Sequence, residues 1–356
     1  MSPGCWRSLT PPKSGSDRAE ILQCGFQPVY QEKQAECVTS EIGALVASSR
    51  GDPALQNMLR TWVFDRDRKG SDERQSPWPF LTLHVCEAIC GAWEHAVPAA
   101  TAIELFVAAA DLLDDIEDGD YEFLVEHGYS IAQAINAVAA LLMLGQEAVT
   151  HLLDKKVRPR TVISVTQVLV SSGVVACSGQ HAEFECKAGD ISEEEYVRLV
   201  EMKSGALTEC ACRVGALLAT DDKRIISSYA LFGKKLGVAG QLANDARSSI
   251  SSRPGQSDIA RKKMTLPIIY GLKQADGPEA TFLRSIFTGP GDVTPEMESE
   301  ARRILVALGA VHYTLVLAQM ERQEALDVLE SSGISIEANA RLLSSVGLDK
   351  GHTGLG

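Results

Sequence analysis

The stretch Ala109-Ala110-Asp111-Leu112-Leu113-Asp114-Asp115-Ile116-Glu117-Asp118-Gly119-Asp120 decides how the rest of the chain is read. At about 100° per residue on a helix, Asp111, Asp115 and Asp118 project from one broad face with Asp114 beside them. Carboxylates so placed repel by roughly 0.2 to 0.5 kcal/mol per pair, and a helix C-terminus disfavours anions further. A cation relieves both costs. The apolar neighbours Phe106 to Ala110 and Leu112 to Leu113 put this charge against a buried helix rather than on a solvated acidic run.

Upstream, helical periodicity begins near Glu41, and Ala54 to Arg68 sets Leu55, Met58, Leu59, Trp62 and Val63 on one stripe. Residues 1–40 read as a polar N-terminal tail, and residues 41–348 as one helical catalytic domain. Further helices are predicted over Phe80 to Glu94, Ala99 to Asp118, Ile131 to Leu153, Thr161 to Ser178, Glu193 to Ala219, Lys223 to Ser249 and Ser257 to Leu272. Two or three more fill Ala280 to Leu348, with Pro290, Gly291 and Gly333 as breakers. No alternating strand pattern competes. The fold class is therefore all-α, a large single-domain helix bundle around a central cavity, with small side chains letting helix axes approach closely.

Composition narrows the partners. A net charge of -13, with no long Lys/Arg block, excludes a nucleic-acid surface. The nine cysteines are an odd number, and Cys86, Cys90, Cys177, Cys210 and Cys212 lie in apolar stretches. They read as reduced core residues and predict a cytoplasmic location. Ile131 to Leu144 and Val162 to Val175 are the most apolar runs, but Gln133, Asn136, Gln167, Ser171 and Ser172 interrupt them, so no transmembrane segment is expected. The N-terminal residues lack the apolar core of a signal peptide. The seven histidines show no metal-ligand spacing, and no Gly-rich phosphate loop follows a strand.

A second polar cluster lies on a later helix, where Gln241, Asn244, Asp245 and Ser248 share a face and offer oxygen atoms suited to Mg²⁺ or its waters. With it, the order of Asp114 to Asp118, Gly179-Gln180, Lys203-Ser204-Gly205-Ala206-Leu207, Gln241 to Ser248 and Lys263-Met264-Thr265-Leu266-Pro267 resembles the trans-isoprenyl diphosphate synthase family over roughly residues 80 to 275. The resemblance implies Mg²⁺ held by Asp114, Asp115 and Asp118, and a further ion at Asp245 with Asn244 and Ser248 nearby. It also implies Lys203, Gln241 and Lys263 near an allylic diphosphate, and a homodimer. Asp114, Asp115 and Lys203 would carry the chemistry, by stabilising the charge that develops as the carbon–oxygen bond breaks. Ala109 and Ala110 occupy places where bulky residues floor the family's cavity, with Phe106 one turn below. That implies a prenyl chain of ten to twenty carbons.

The sequence also departs from the family. Where chain-elongating members carry Gly-Lys-x-x-Arg-Pro, this chain has Gln75 in place of the lysine and Trp78 in place of the arginine, before Pro79. Their Arg-Arg-Gly after the first motif is here Glu126-His127-Gly128. The acceptor is thus isopentenyl diphosphate or a substitute for it, and the departures resemble the subgroup that prenylates a peptide tryptophan. Asn244, Ser248 and Ser252 approach the metal pattern of class I terpene cyclases, so a cyclase stays open, as does a non-catalytic regulatory subunit.

Overall fold

A computed structural model describes residues 32–65, 77–186, 191–251 and 257–348, and among these no strand occurs. The first helix among the described residues, α1 (Glu32–Ser48), buries Ala35, Val38, Ile42, Leu45 and Val46 as a stripe that begins before residue 41. The elements that follow are α2 (Pro53–Asp65), α3 (Trp78–Cys90), a 3₁₀ turn (Glu94–Ala96), α4 (Val97–Asp118), α5 (Glu122–His127), α6 (Ile131–Thr150) and α7 (Pro159–Glu185). Then come α8 (Glu193–Val200), a π-helical turn (Glu201–Gly205), α9 (Ala206–Ala219), α10 (Lys223–Ile250) and α11 (Leu266–Gln274). Four more helices follow among the described residues, α12 (Gly277–Thr288), α13 (Pro295–Ala307), α14 (Ala310–Glu330) and α15 (Ala340–Ser345).

Three boundaries differ from the sequence reading. Glu193 to Ala219 is not one helix, because the π turn interrupts it. The helix expected from Ser257 starts only at Leu266: Lys262 takes a left-handed φ of 53°, and Pro267 suits only a first helical turn. Gly309, with φ 75°, divides α13 from α14.

Contacts group the chain into two compact units. The reason is that separate apolar cores are buried. The larger unit draws on Phe26–Ser178, Met202–Gly237 and Gln323–Gly356. Its core runs from Val38 through Leu83, Leu105, Leu141 and Phe232 to Leu342. Here α4 packs along α6, and α3 packs along α9. Small residues permit these approaches: a Cβ on Gly215 would lie 2.5 Å from the Thr82 carbonyl oxygen. The Trp62 indole N–H donates to the Ala108 carbonyl at 2.7 Å, tying α2 to α4. The smaller unit draws on Gly179–Glu201 and Val238–Arg322. It buries Tyr196, Val200, Val238, Leu242 and Leu266 in one cluster and Ile268, Leu283, Ile286, Ile304 and Leu305 in another.

Three helical segments are long and apolar enough, by length and composition, to cross a membrane, because scattered polar residues do not lower their mean hydropathy enough. The segment Glu94–Asp118 has 78% of its most apolar window buried, whereas Ile131–Thr150 and Pro159–Glu185 have 39% and 22%. Ile135 and Met143 on α6 and Ile163, Val170 and Val174 on α7 are exposed. The cysteines also divide: Cys86, Cys210 and Cys212 are buried as expected, but Cys90 and Cys177 are exposed.

Candidate active site

The acidic face forms at the end of α4 because the helix must stop there. Gly119, in a left-handed conformation with φ 71°, donates its N–H to the Asp115 and Ile116 carbonyls, and the Asp120 N–H reaches the Asp115 carbonyl at 2.8 Å. The residues before it are buried, and Ala109 is 1% exposed. Asp114, Asp115 and Asp118 are half-buried, while Asp111 is exposed. Burial first, and then the charges of Asp120, Asp111, Asp114 and Asp118, pushes the Asp115 carboxyl up to about 7. A group this reluctant to ionise among like charges is one that a cation would stabilise.

One cation of the chain is already there. The Lys203 ammonium donates to Asp114 Oδ1 at 3.0 Å, from the π-helical turn that breaks the expected long helix. Such turns commonly mark functional positions in helices. The turn is held by close backbone contact, since a Cβ on Gly237 of α10 would lie 2.7 Å from the Ser204 carbonyl oxygen and 3.0 Å from Gly205 Cα. Below the acidic face, Ala110 and Phe106 are half-buried on α4. The Phe106 ring covers Gly145 of α6, whose added Cβ would lie 2.7 Å from it, and reaches toward Gly173 of α7.

In the smaller unit the second cluster is assembled differently. Asp245 is 2% exposed, and both its oxygens accept hydrogen bonds: Oδ2 from the Tyr196 hydroxyl at 2.6 Å and Oδ1 from the Gln241 amide at 2.9 Å. Burial and the nearby Asp258 charge push its carboxyl up to about 7 against those two bonds. Asp258 is itself raised, by burial first, with Lys263 and Arg261 opposing and Glu183 adding. Ser248 Oγ accepts the Asp258 N–H at 3.0 Å. Gln241, Asp245, Ser248 and Lys263 thus belong to one electrostatic neighbourhood. Asn244 does not face it: the side chain is exposed and accepts from the Arg247 guanidinium. Lys262, next to Lys263, is occupied in donating to the Gly289 and Gly291 carbonyls at 2.9 and 2.7 Å.

Sequence reasoning missed Tyr196, Asp258 and Glu183. Tyr196 sits within the apolar pattern of α8, and the two acids carry no spacing relation to Asp245. The single acid Asp258, five residues before Lys263, was the one signal available. At the positions where acceptor-binding cations are expected, Trp78 is half-buried, and the His127 ring stacks on Phe123 at 4.3 Å with Nδ1 3.0 Å from the Phe123 carbonyl. Gln75 lies outside the described residues.

All-oxygen donor sets suit hard cations such as Mg²⁺, which keeps several waters and shares its shell with substrate phosphates. Carboxylates spread along a helical face, rather than converged on a point, fit such an ion. Fold and site together define an all-helical protein with two centres of raised carboxyl groups. The polyprenyl synthetase family model matches residues 78–304, and the chain belongs to that family. It is a prenyltransferase. Geranylgeranyl diphosphate synthase of Mycobacterium tuberculosis is 27% identical over 284 residues, covering 76% of this chain and 79% of its own. A short chain isoprenyl diphosphate synthase of Methanothermobacter thermautotrophicus is 32% identical over 268 residues, covering 71% and 80%. The crystal structure of a geranylgeranyl pyrophosphate synthetase from Pyrococcus horikoshii superimposes with a TM-score of 0.76 at 24% identity, covering 94% of this chain and 99% of that one.

Proposed function

We propose that this prenyltransferase requires Mg²⁺ and ionises an allylic prenyl diphosphate of ten to twenty carbons, passing the prenyl cation to isopentenyl diphosphate or a substitute for it. The observation that carries the reading is the Asp115 carboxyl, raised to about 7 amid four other acids, with Lys203 paired to Asp114 on the same face. Bound Mg²⁺ would supply the charge neutralisation that makes a diphosphate leave. Asp114, Asp115 and Asp118 would hold it on α4, and Asp245 with Ser248 would hold a further ion in the smaller unit. Lys203 turns from Asp114 to diphosphate oxygens as substrate arrives, which frees Asp114 as a ligand. Gln241 and Lys263 lie in the neighbourhood of Asp245 and would serve phosphate oxygens brought to that centre, and Asn244 joins the ligands only by leaving Arg247.

The allylic carbon–oxygen bond breaks with its electron pair going to diphosphate. A double bond of the acceptor then attacks the cation, and the adduct loses a proton. Until then water must be excluded, which the apolar surface of Phe106, Ala109 and Ala110 serves. Trp78 and His127 favour an acceptor other than isopentenyl diphosphate, because neither position carries the arginine clamp a second diphosphate needs. We place the enzyme in the cytoplasm on its free thiols. We place it in a homodimer on the exposed stripe Ile163, Val170 and Val174, whose spacing of seven and four sets one helical face. Light scattering on a sizing column tests the dimer, and Val174→Lys would break it.

The test of the reaction is incubation with Mg²⁺ and geranyl, farnesyl or geranylgeranyl diphosphate, each with and without isopentenyl diphosphate, followed by mass analysis. Longer diphosphates only with isopentenyl diphosphate would establish elongation. Hydrocarbons or alcohols without it would make the enzyme a cyclase. Turnover that ignores Asp115→Asn would overturn the site.

A further inference from the structure

Away from the carboxylates, the end of α3 carries a different donor set. Cys86 and Cys90 are one helical turn apart and so share a face. Gly91 then ends the helix in a left-handed conformation, φ 76°, with its N–H on the Glu87 carbonyl at 2.8 Å. The chain doubles back, anchored by Trp93, 6% exposed, and Ala96, fully buried, with the Ala96 N–H on the Trp93 carbonyl at 2.9 Å. Between these anchors stands His95. Its Nε2 lies 3.4 Å from Cys86 Sγ, and Cys86 Sγ lies 4.0 Å from Cys90 Sγ. All three donor atoms fall within 4.8 Å of one another, the only group of three His, Cys, Asp or Glu donors so converged among the described residues. The sequence reading found no metal-ligand spacing at any histidine. It missed this because C-x₃-C-x₄-H works only once a helix turn and a glycine cap fold it up.

We propose that Cys86, Cys90 and His95 bind one thiophilic divalent cation, zinc by chemical preference. With metal–sulfur bonds of about 2.3 Å and a metal–nitrogen bond of about 2.0 Å, a tetrahedral ion spaces its two sulfurs about 3.8 Å apart and sulfur from nitrogen about 3.5 Å. The 4.0 Å between the sulfurs and the 3.4 Å from Cys86 Sγ to His95 Nε2 match within a few tenths of an ångström, and the third pair, Cys90 with His95, lies within 4.8 Å and closes by rotation of the exposed Cys90 side chain. Soft thiolates and imidazole select such an ion over Mg²⁺, so the site is distinct in chemistry from the aspartates. Binding is balanced as one dication replacing two thiol protons, which go to solvent, giving a neutral centre with the fourth position open to water. Solvent reaches two of the three donors: Cys90 is exposed, and His95 lines a cleft of about 390 Å³ with Lys156, Arg158, Leu218 and Asp221. The competing use of these atoms is weak, since the contact from His95 Nε2 to the Leu218 carbonyl is 3.4 Å and that from Cys90 Sγ to the Ala92 carbonyl is 3.3 Å. The ion would clip the end of α3 to the 3₁₀ turn that launches α4.

Full-length protein, reduced and stripped with chelator, is titrated with Co²⁺ without oxygen. We expect one tight equivalent that carries the intense visible bands of tetrahedral cobalt and a thiolate charge-transfer band, with release of two protons and displacement by Zn²⁺, while any weaker cobalt at the aspartates is octahedral and adds only faint bands. Cys90→Ser and His95→Gln should each weaken binding by more than the roughly 10- to 100-fold that loss of an outer-sphere contact costs. Cys177→Ser and Asp115→Asn should leave the spectrum unchanged. Cys90 is exposed, so its variant tests the site even if replacing buried Cys86 prevents folding. An octahedral spectrum, or a tetrahedral one that survives in the Cys90→Ser/His95→Gln double variant, would overturn the proposal.

Discussion

Asp115 and Asp245 reach the same state by different routes. Asp115 is half-buried at the end of α4 and is lifted to about 7 by burial together with four acids from its own segment, Asp111, Asp114, Asp118 and Asp120. Asp245 is buried, accepts two neutral hydrogen bonds, and is lifted by burial together with Asp258 and Glu183 from other segments. The first centre stores repulsion, which a cation relieves directly. The second holds its carboxylate between Tyr196 and Gln241, so an ion there must compete with two donors already in place. Asp115→Asn should therefore lower kcat by about 10²- to 10³-fold, the cost typical of losing one electrostatic stabiliser. It should also leave the metal-free protein as stable or slightly more stable. Steady-state kinetics with urea denaturation check both, and a stability loss beyond about 1 kcal/mol would show that Asp115 is held by partners rather than repelled.

The second centre should fail the other way, in stability before rate. Tyr196→Phe removes a 2.6 Å donor from buried Asp245 and, at a pH above about 7 where that carboxyl is ionised, should cost about 1.5 to 3 kcal/mol. The same denaturation series measures it. A variant of wild-type stability would mean that Asp245 is neutral in the resting protein and needs no donor from Tyr196.

What the sequence disclosed follows the same division. Asp114, Asp115 and Asp118 are one helical face, so spacing and the apolar residues before them were enough to find them. The helices of α4, α6 and α10 were placed to within a few residues for the same reason. Lys203 came from resemblance alone, since nothing local shows that its helix breaks into a π turn facing Asp114. Tyr196, Asp258 and Glu183 come from three separate segments and meet Asp245 only through tertiary packing, which no periodicity encodes.

Both raised carboxyls also set a pH dependence. A folded-state value above the unfolded one means that the native protein binds more protons, so the stability of metal-free protein should fall as pH rises from about 4 to about 7. Mg²⁺ binding must displace those protons, so its apparent affinity should rise over the upper part of that window and level off above about 7. Urea midpoints across pH, with Mg²⁺ and with chelator, separate the two effects. A metal-free midpoint that climbs between pH 4 and 7 would mean that Asp115 and Asp245 are stabilised as anions.

The smallest effect should come from the residue that the two descriptions place differently. Sequence pattern puts Asn244 beside Asp245 as a metal ligand, whereas the structure leaves it exposed and bonded to Arg247. Adjacent helical positions point about 100° apart, so the backbone that buries Asp245 turns Asn244 outward. Recruiting it would cost the Arg247 bond and a rotamer change, for a neutral oxygen that water supplies equally well. Asn244→Ala should therefore change stability by no more than about 0.5 kcal/mol. It should lower kcat/KM by less than tenfold, which is about 1.4 kcal/mol, while Asp245→Asn costs far more. Equal losses from the two substitutions, with a matching shift in Mg²⁺ dependence, would mean that Arg247 releases Asn244 on metal binding and that the second centre remodels before it acts.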